Sequence, residues 1–274
     1  MSTKDKSKSA RPQFYATARE VIFLVFISQG LRICFTSHFG YFGDIFRHNM
    51  TIIVDSHPVT ELPDTVTEFY QRYPFLEAEA TSFLLKSVRV FDKPEGVLYV
   101  TQKEYAVVKS DDKNVSVLGT DDATTCHIAV LVNRADSSVC LAHIDSADDL
   151  DDLSRMVSDV LGSHSTTKSN TSQLELSILG GYCDERDTSE MLTLELLHFC
   201  SQSSVNFHLK SFCVGYVNMK QCGGINWPII YGACVDIHSD FTISPAKFKS
   251  NVRGPCLSLR SSRFLSRQCN TLYR

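Results

Sequence analysis

The ten cysteines, at positions 34, 126, 140, 183, 200, 213, 222, 234, 256 and 269, include no C-x-x-C pair and build no zinc-type array with histidine. That excludes the common structural zinc frameworks, and no metal or other cofactor is expected. Also lacking is any apolar run near the ~20 residues that a bilayer span needs. The best candidate, Val21 to Ile27, is broken by Ser28-Gln29-Gly30 and then Arg32. An excess of positive charge is missing too. Lys and Arg total 27 against 31 Asp and Glu, a formal charge of −4, so neither a nucleic acid nor a membrane partner is expected. No internal repeat is evident.

What remains is an ordinary globular composition. Hydrophobic residues make up 43% of the 274 positions and charged residues 21%, enough for one sizeable core and one or two domains. Several cysteines lie inside apolar, strand-like runs, such as Cys213 in SFCVGYV and Cys234 in YGACVDI. There a free thiol behaves as a small hydrophobe, so the cysteines read as reduced, in a cytoplasmic chain that can also be nuclear. The alternative is a signal peptide, since Lys4, Lys6, Lys8, Arg11 and Arg19 precede the apolar run.

Along the chain, residues 1–49 form a basic and then aromatic stretch without clean periodicity, read as an upstream extension outside the fold. After Met50, a short strand at 51–54 is followed by a helix that Asp64 can cap, carrying Val66, Phe69 and Tyr70 toward Tyr73, where Pro74 interferes. GVLYVTQKEYAVV, from Gly96 to Val108, reads as two paired strands around a turn near Gln102-Lys103. Further strands are expected near 115–118, 126–132, 138–144, 174–179, 207–217 and 229–237, with amphipathic helices at 147–161 and 188–201. This pattern is α+β over residues 50–250. The polar run 162–172 is a surface loop, and residues 251–274 form a divergent basic tail.

Chemistry concentrates in LGTDDATTCHIAVLV, residues 118–132, and in CLAHID, residues 140–145. If the strands 126–132 and 138–144 form an antiparallel hairpin, the start of one lies beside the end of the other, and Cys126 neighbours His143. A thiol with a pKa near 8.5 needs a nearby imidazole to act as a nucleophile at neutral pH. The imidazole in turn needs an orienting partner, for which Thr120, Asp121 and Asp122 are candidates. Backbone N–H groups in the turn before Cys126 are candidates for an oxyanion hole. By alternation His127 points to the opposite face and is structural. The acids Asp148, Asp149, Asp151 and Asp152 read as a solvated helix start.

These blocks, together with ILGGYCDERDTSE at 178–190 and WPIIYGACVDI at 227–237, resemble the eukaryotic protein N-terminal asparagine amidohydrolases. The Thr six residues before the Cys and the His seventeen after it are also similar to the bacterial chemotaxis receptor glutamine deamidases. The resemblance implies a cysteine deamidase fold, a layered, sandwich-like β-sheet core flanked by helices, truncated here at its C-terminal end. It implies a Cys126–His143–Thr120 site that converts N-terminal Asn of proteins or peptides to Asp through a thioester and feeds the ubiquitin-dependent N-degron pathway. Asp121 and Asp122 are the expected partners of the substrate's α-ammonium, and the chain is expected to be a monomer. The alternatives are an inactive or non-catalytic isoform that binds peptide N-termini, and an internal glutamine deamidase.

Overall fold

The segments His127–Asn133 and Ser138–Ile144 are buried at every residue. Strands that are apolar without alternation must be covered on both faces, and the rest of the chain supplies those two covers. The computed structural model describes residues 51–146, 150–162 and 173–255. The expected extension at 1–49, most of the 162–172 loop, the acids Asp148 and Asp149, and the tail from 256 onward lie outside the described residues, as do the side chains of Asp151 and Asp152.

The order of elements is β1 (Ile52–Val54), β2 (His57–Pro58), α1 (Val66–Arg72), α2 (Pro74–Leu84), β3 (Arg89–Phe91), β4 (Val97–Tyr99), β5 (Tyr105–Lys109) and β6 (Val117–Thr120). It continues with β7 (His127–Asn133), β8 (Ser138–Ile144), α3 (Leu150–Leu161), β9 (Gln173–Gly180), α4 (Thr188–Gln202) and β10 (Asn206–Cys213). β11 (Met219–Cys222), β12 (Ile225–Pro228), β13 (Ala233–Asp236) and β14 (Thr242–Phe248) complete it. A seven-stranded sheet runs β2-β1-β10-β9-β7-β8-β5, a five-stranded sheet runs β3-β14-β13-β6-β4, and β11 and β12 pair separately. The molecule is α+β, as its sequence pattern implies.

Alternation along the central strands sorts side chains into layers. Ala129, Leu131, Cys140, Ala142 and Ile144 join a cluster with Leu153 and Met156 of α3 and Leu192 and Leu196 of α4. Ile128, Val130, Val132, Val139 and Leu141 face the other way, against Leu118, Ala233 and Val235 of the second sheet. That sheet's outer face carries Tyr99, Val117, Cys234 and Phe248. Helices α3 and α4, the seven-stranded sheet and the second sheet therefore stack in sequence around two apolar interlayers, with Ala80 and Phe83 of α2 joining the one between the sheets.

Three expectations change. The cap of α1 is Thr65 rather than Asp64, because Thr65 is the extended residue whose hydroxyl accepts from the Glu68 N–H at 3.1 Å. Pro74 does not merely end that helix. It opens α2, at a position where its missing N–H would have no partner anyway. Finally, the strands within 96–108 do not pair with each other. β4 runs parallel to β6 in the five-stranded sheet, while β5 runs antiparallel to β8 in the seven-stranded one. A period of two reports a strand and its faces but not its partner, and here the segment between them crosses from one sheet to the other.

Candidate functional site

Thr120 ends β6, Cys126 immediately precedes β7, and His143 is the penultimate residue of β8. The hairpin register sets Ile128 opposite His143 and His127 opposite Ile144. Cys126, two residues before Ile128, shares its face and lies diagonally beside His143. Across the interlayer, Thr120 Oγ1 is 2.8 Å from His143 Nδ1, a hydrogen bond that ties the two sheets together at the site. All three residues are buried, Cys126 being the most accessible at 9%.

The backbone around Cys126 is pinned from two sides. Its carbonyl accepts the Gly181 N–H at 3.0 Å, and the preceding Thr125 carbonyl accepts the Ser189 hydroxyl at 3.2 Å. Gly180 makes the close approach possible. Its φ is +90°, and a Cβ there would sit 2.8 Å from the Cys126 carbonyl oxygen. In the loop before the cysteine, Asp122 adopts a left-handed φ of 63°, and the Ala123 N–H donates to Tyr231 O at 2.9 Å.

Burial pushes the His143 imidazole down to about 4, while the Asp145 and Asp122 carboxylates pull weakly the other way. The ring is therefore neutral at physiological pH. Its Nε2 is buried and has no hydrogen-bond partner among the described residues. With Nδ1–H donating to Thr120 Oγ1, Nε2 presents its lone pair and can accept a proton from a neighbouring group. A base at this ring should set an acid limb in the pH profile of kcat/KM below the ordinary imidazole value of 6.5, toward 4. Steady-state rates from pH 4 to 8 check this, and a limb at or above 6.5 contradicts it.

His127 lies on the helix face, as alternation requires. Its Nε2 is 2.7 Å from Thr193 Oγ1, whose own hydrogen goes to the Ser189 carbonyl at 2.9 Å. Nε2 must therefore carry the proton, and the ring is a neutral packing element. All seven described cysteines are free, and burial pushes Cys200 and Cys213 up to about 12 and Cys234 up to about 11. Burial likewise holds Cys140 well above its usual range, and Cys222 is exposed on the β11–β12 pair.

The structure does not leave Asp121 available for an α-ammonium. Its carboxylate accepts the Tyr99 hydroxyl at 2.7 Å and the Phe248 N–H at 2.7 Å, and pairs with Arg253 at 3.0 Å. Asp122 pairs with the same guanidinium from a side chain 61% exposed. Both acids therefore fasten the chain near Arg253 to the loop carrying the cysteine. Arg253, which the sequence reading assigned no role, is the clamp, and its partners lie too far away in sequence to suggest it.

The fold and the buried Thr–His pair beside a strand-start cysteine define an α+β protein with a site suited to thiol-based acyl chemistry. The family model for protein N-terminal asparagine amidohydrolase matches residues 87–273, and the chain belongs to that family. The match runs past Arg253 into the stretch read from sequence as a divergent tail. Protein N-terminal asparagine amidohydrolase of Mus musculus is 35% identical over 217 residues, covering 79% of this chain and 68% of the mouse protein. The Homo sapiens protein of that name is 33% identical over the same shares. That of Arabidopsis thaliana is 28% identical over 222 residues, 76% of this chain and 60% of the plant protein.

Proposed function

We propose that this protein removes ammonia from the side chain of an N-terminal asparagine, leaving an N-terminal aspartate, with Cys126 as nucleophile. The observation that carries this reading is the buried Thr120–His143 hydrogen bond beside Cys126, at 2.8 Å, in a chain of the amidohydrolase family. His143 Nε2 takes the thiol proton as sulfur bonds to the carboxamide carbon. The carbonyl π pair moves to oxygen and then returns to re-form C=O as the C–N bond breaks, while the imidazolium gives its proton to the leaving nitrogen, which departs as ammonia. Water, losing a proton to His143 Nε2, then attacks the thioester. The C–S bond breaks, the carboxylic acid forms and the thiol is restored. Thr120 holds the ring in the tautomer that both half-reactions need.

The product is a protein whose new N-terminal Asp can enter the N-degron pathway. Free cysteines throughout the described chain support a reducing setting, cytoplasmic or nuclear. The test is ammonia release from otherwise identical peptides that begin with Asn, Gln or acetyl-Asn. Release only from the free Asn peptide is the expected result, and equal release from the Gln peptide would reassign the substrate.

A further inference from the structure

With Asp121 committed to three donors and Asp122 turned toward solvent on Arg253, the selection of a chain terminus needs another carboxylate. The substrate itself limits where it can be. In an N-terminal Asn the amine nitrogen is three bonds from the carboxamide carbon. A carboxylate that pairs with it therefore lies within roughly 10 Å of the attacking sulfur, adding an attack distance, the extended side chain and one charge-assisted hydrogen bond.

We propose that Asp145 is the specificity residue that receives the substrate's α-ammonium, an inference resting on the activity proposed above. The last hairpin pair is His127 with Ile144, so Cys126 and Asp145 are the residues that directly flank the end of the ladder on its two strands. Residues that flank the last pair of an antiparallel ladder, whose own Cα atoms are about 4.5–5.5 Å apart, stay well inside the limit. Asp145 is also two residues beyond His143, and its charge is the strongest carboxylate influence on that ring. Its side chain is only 12% exposed, where a charge-assisted contact is less screened than at the surface.

The site already holds the right kind of group. Lys103 Nζ, a primary ammonium, lies 3.2 Å from Asp145 Oδ1, and the Gln102 side-chain amide donates to Oδ2. Lys103 is 56% exposed, on a residue with φ of 65° in the crossing between the sheets. It is therefore a stand-in that an incoming α-ammonium displaces into solvent, while Gln102 stays to orient the carboxylate.

Three peptides test this: one with free N-terminal Asn, its acetylated form, and an analogue in which hydrogen replaces the α-amino group. In the parent protein the analogue should lose about ten- to a hundredfold in kcat/KM, the worth of one charge-assisted contact. In Asp145→Asn the free peptide should fall to the analogue's level, so that the ratio between them approaches one, with thermal melting confirming the fold. Lys103→Met should lower KM for the free peptide, because the competing ammonium is gone, and should not lower it for the analogue. A preserved ratio in a folded Asp145→Asn protein, or an unchanged or raised KM in Lys103→Met, overturns the assignment. A parent protein that releases no ammonia from the free Asn peptide overturns the activity itself, and the inference with it.

Discussion

Cys126→Ser should lose ammonia release by about three orders of magnitude or more, while its thermal melting stays close to that of the parent. The asymmetry comes from the base. Burial pushes His143 down to about 4, which makes it a weak proton acceptor. A thiol is within its reach when the proton moves in concert with attack, whereas a serine alkoxide is far more basic and the hydroxyl is out of reach. Packing changes little, because serine differs from cysteine by a single side-chain atom at a position that retains 9% exposure. Alkylation supplies an independent check. In the parent, iodoacetamide should inactivate at the rate at which Cys126 is modified and should also label exposed Cys222, while buried Cys140, Cys200, Cys213 and Cys234 stay unreacted in the folded protein. Substantial turnover in the serine variant would sink the nucleophile assignment, as would inactivation that follows Cys222.

The β7–β8 hairpin was legible because its information is local. Asn133 Oδ1 accepts the Ala135 and Asp136 N–H groups, an Asx turn within five residues of chain, and strict alternation then separates His127 from Cys126 and Ile128. Thr120 could be named but not placed, since its bond to His143 crosses between sheets whose stacking no local pattern encodes. Asp121 was misread for the same reason. Its partners Phe248 and Arg253 lie 127 and 132 residues downstream, so a carboxylate close to Cys126 in sequence is spent on holding another strand. β14 was hidden by Pro245, which argues against an interior strand. The parallel partner β3 joins β14 only from Ala246 onward, so the residue without an N–H stays outside that ladder. Placing Asp145 needed the end of the register, since it directly follows Ile144, the last residue of β8 paired with β7.

His143→Ala and His127→Ala should separate catalysis from stability, since the two rings sit on opposite faces of one sheet. Loss of His143 should reduce turnover by about 10²- to 10⁴-fold, the usual contribution of a general base, with no rescue on cooling. Loss of His127 leaves a void on the α4 side and strips Thr193 Oγ1 of its donor, so destabilisation of about 2–4 kcal/mol is expected. Turnover per folded molecule should survive at low temperature. The acid branch of stability should respond to the loss of either ring, since burial holds both below their ordinary 6.5. Burial pushes His127 down to about 3 from 6.5, so as pH falls below 6.5 the unfolded chain takes up a proton that the folded chain refuses. Stability present above pH 6.5 is thereby lost on acidification, by about 2 kcal/mol at pH 5 from this residue alone. His127→Ala removes that loss, and its denaturation midpoint should vary less between pH 7 and pH 5 than the parent's. If His127→Ala, well folded at low temperature, lost turnover as completely as His143→Ala, the division of roles between the two faces would be wrong.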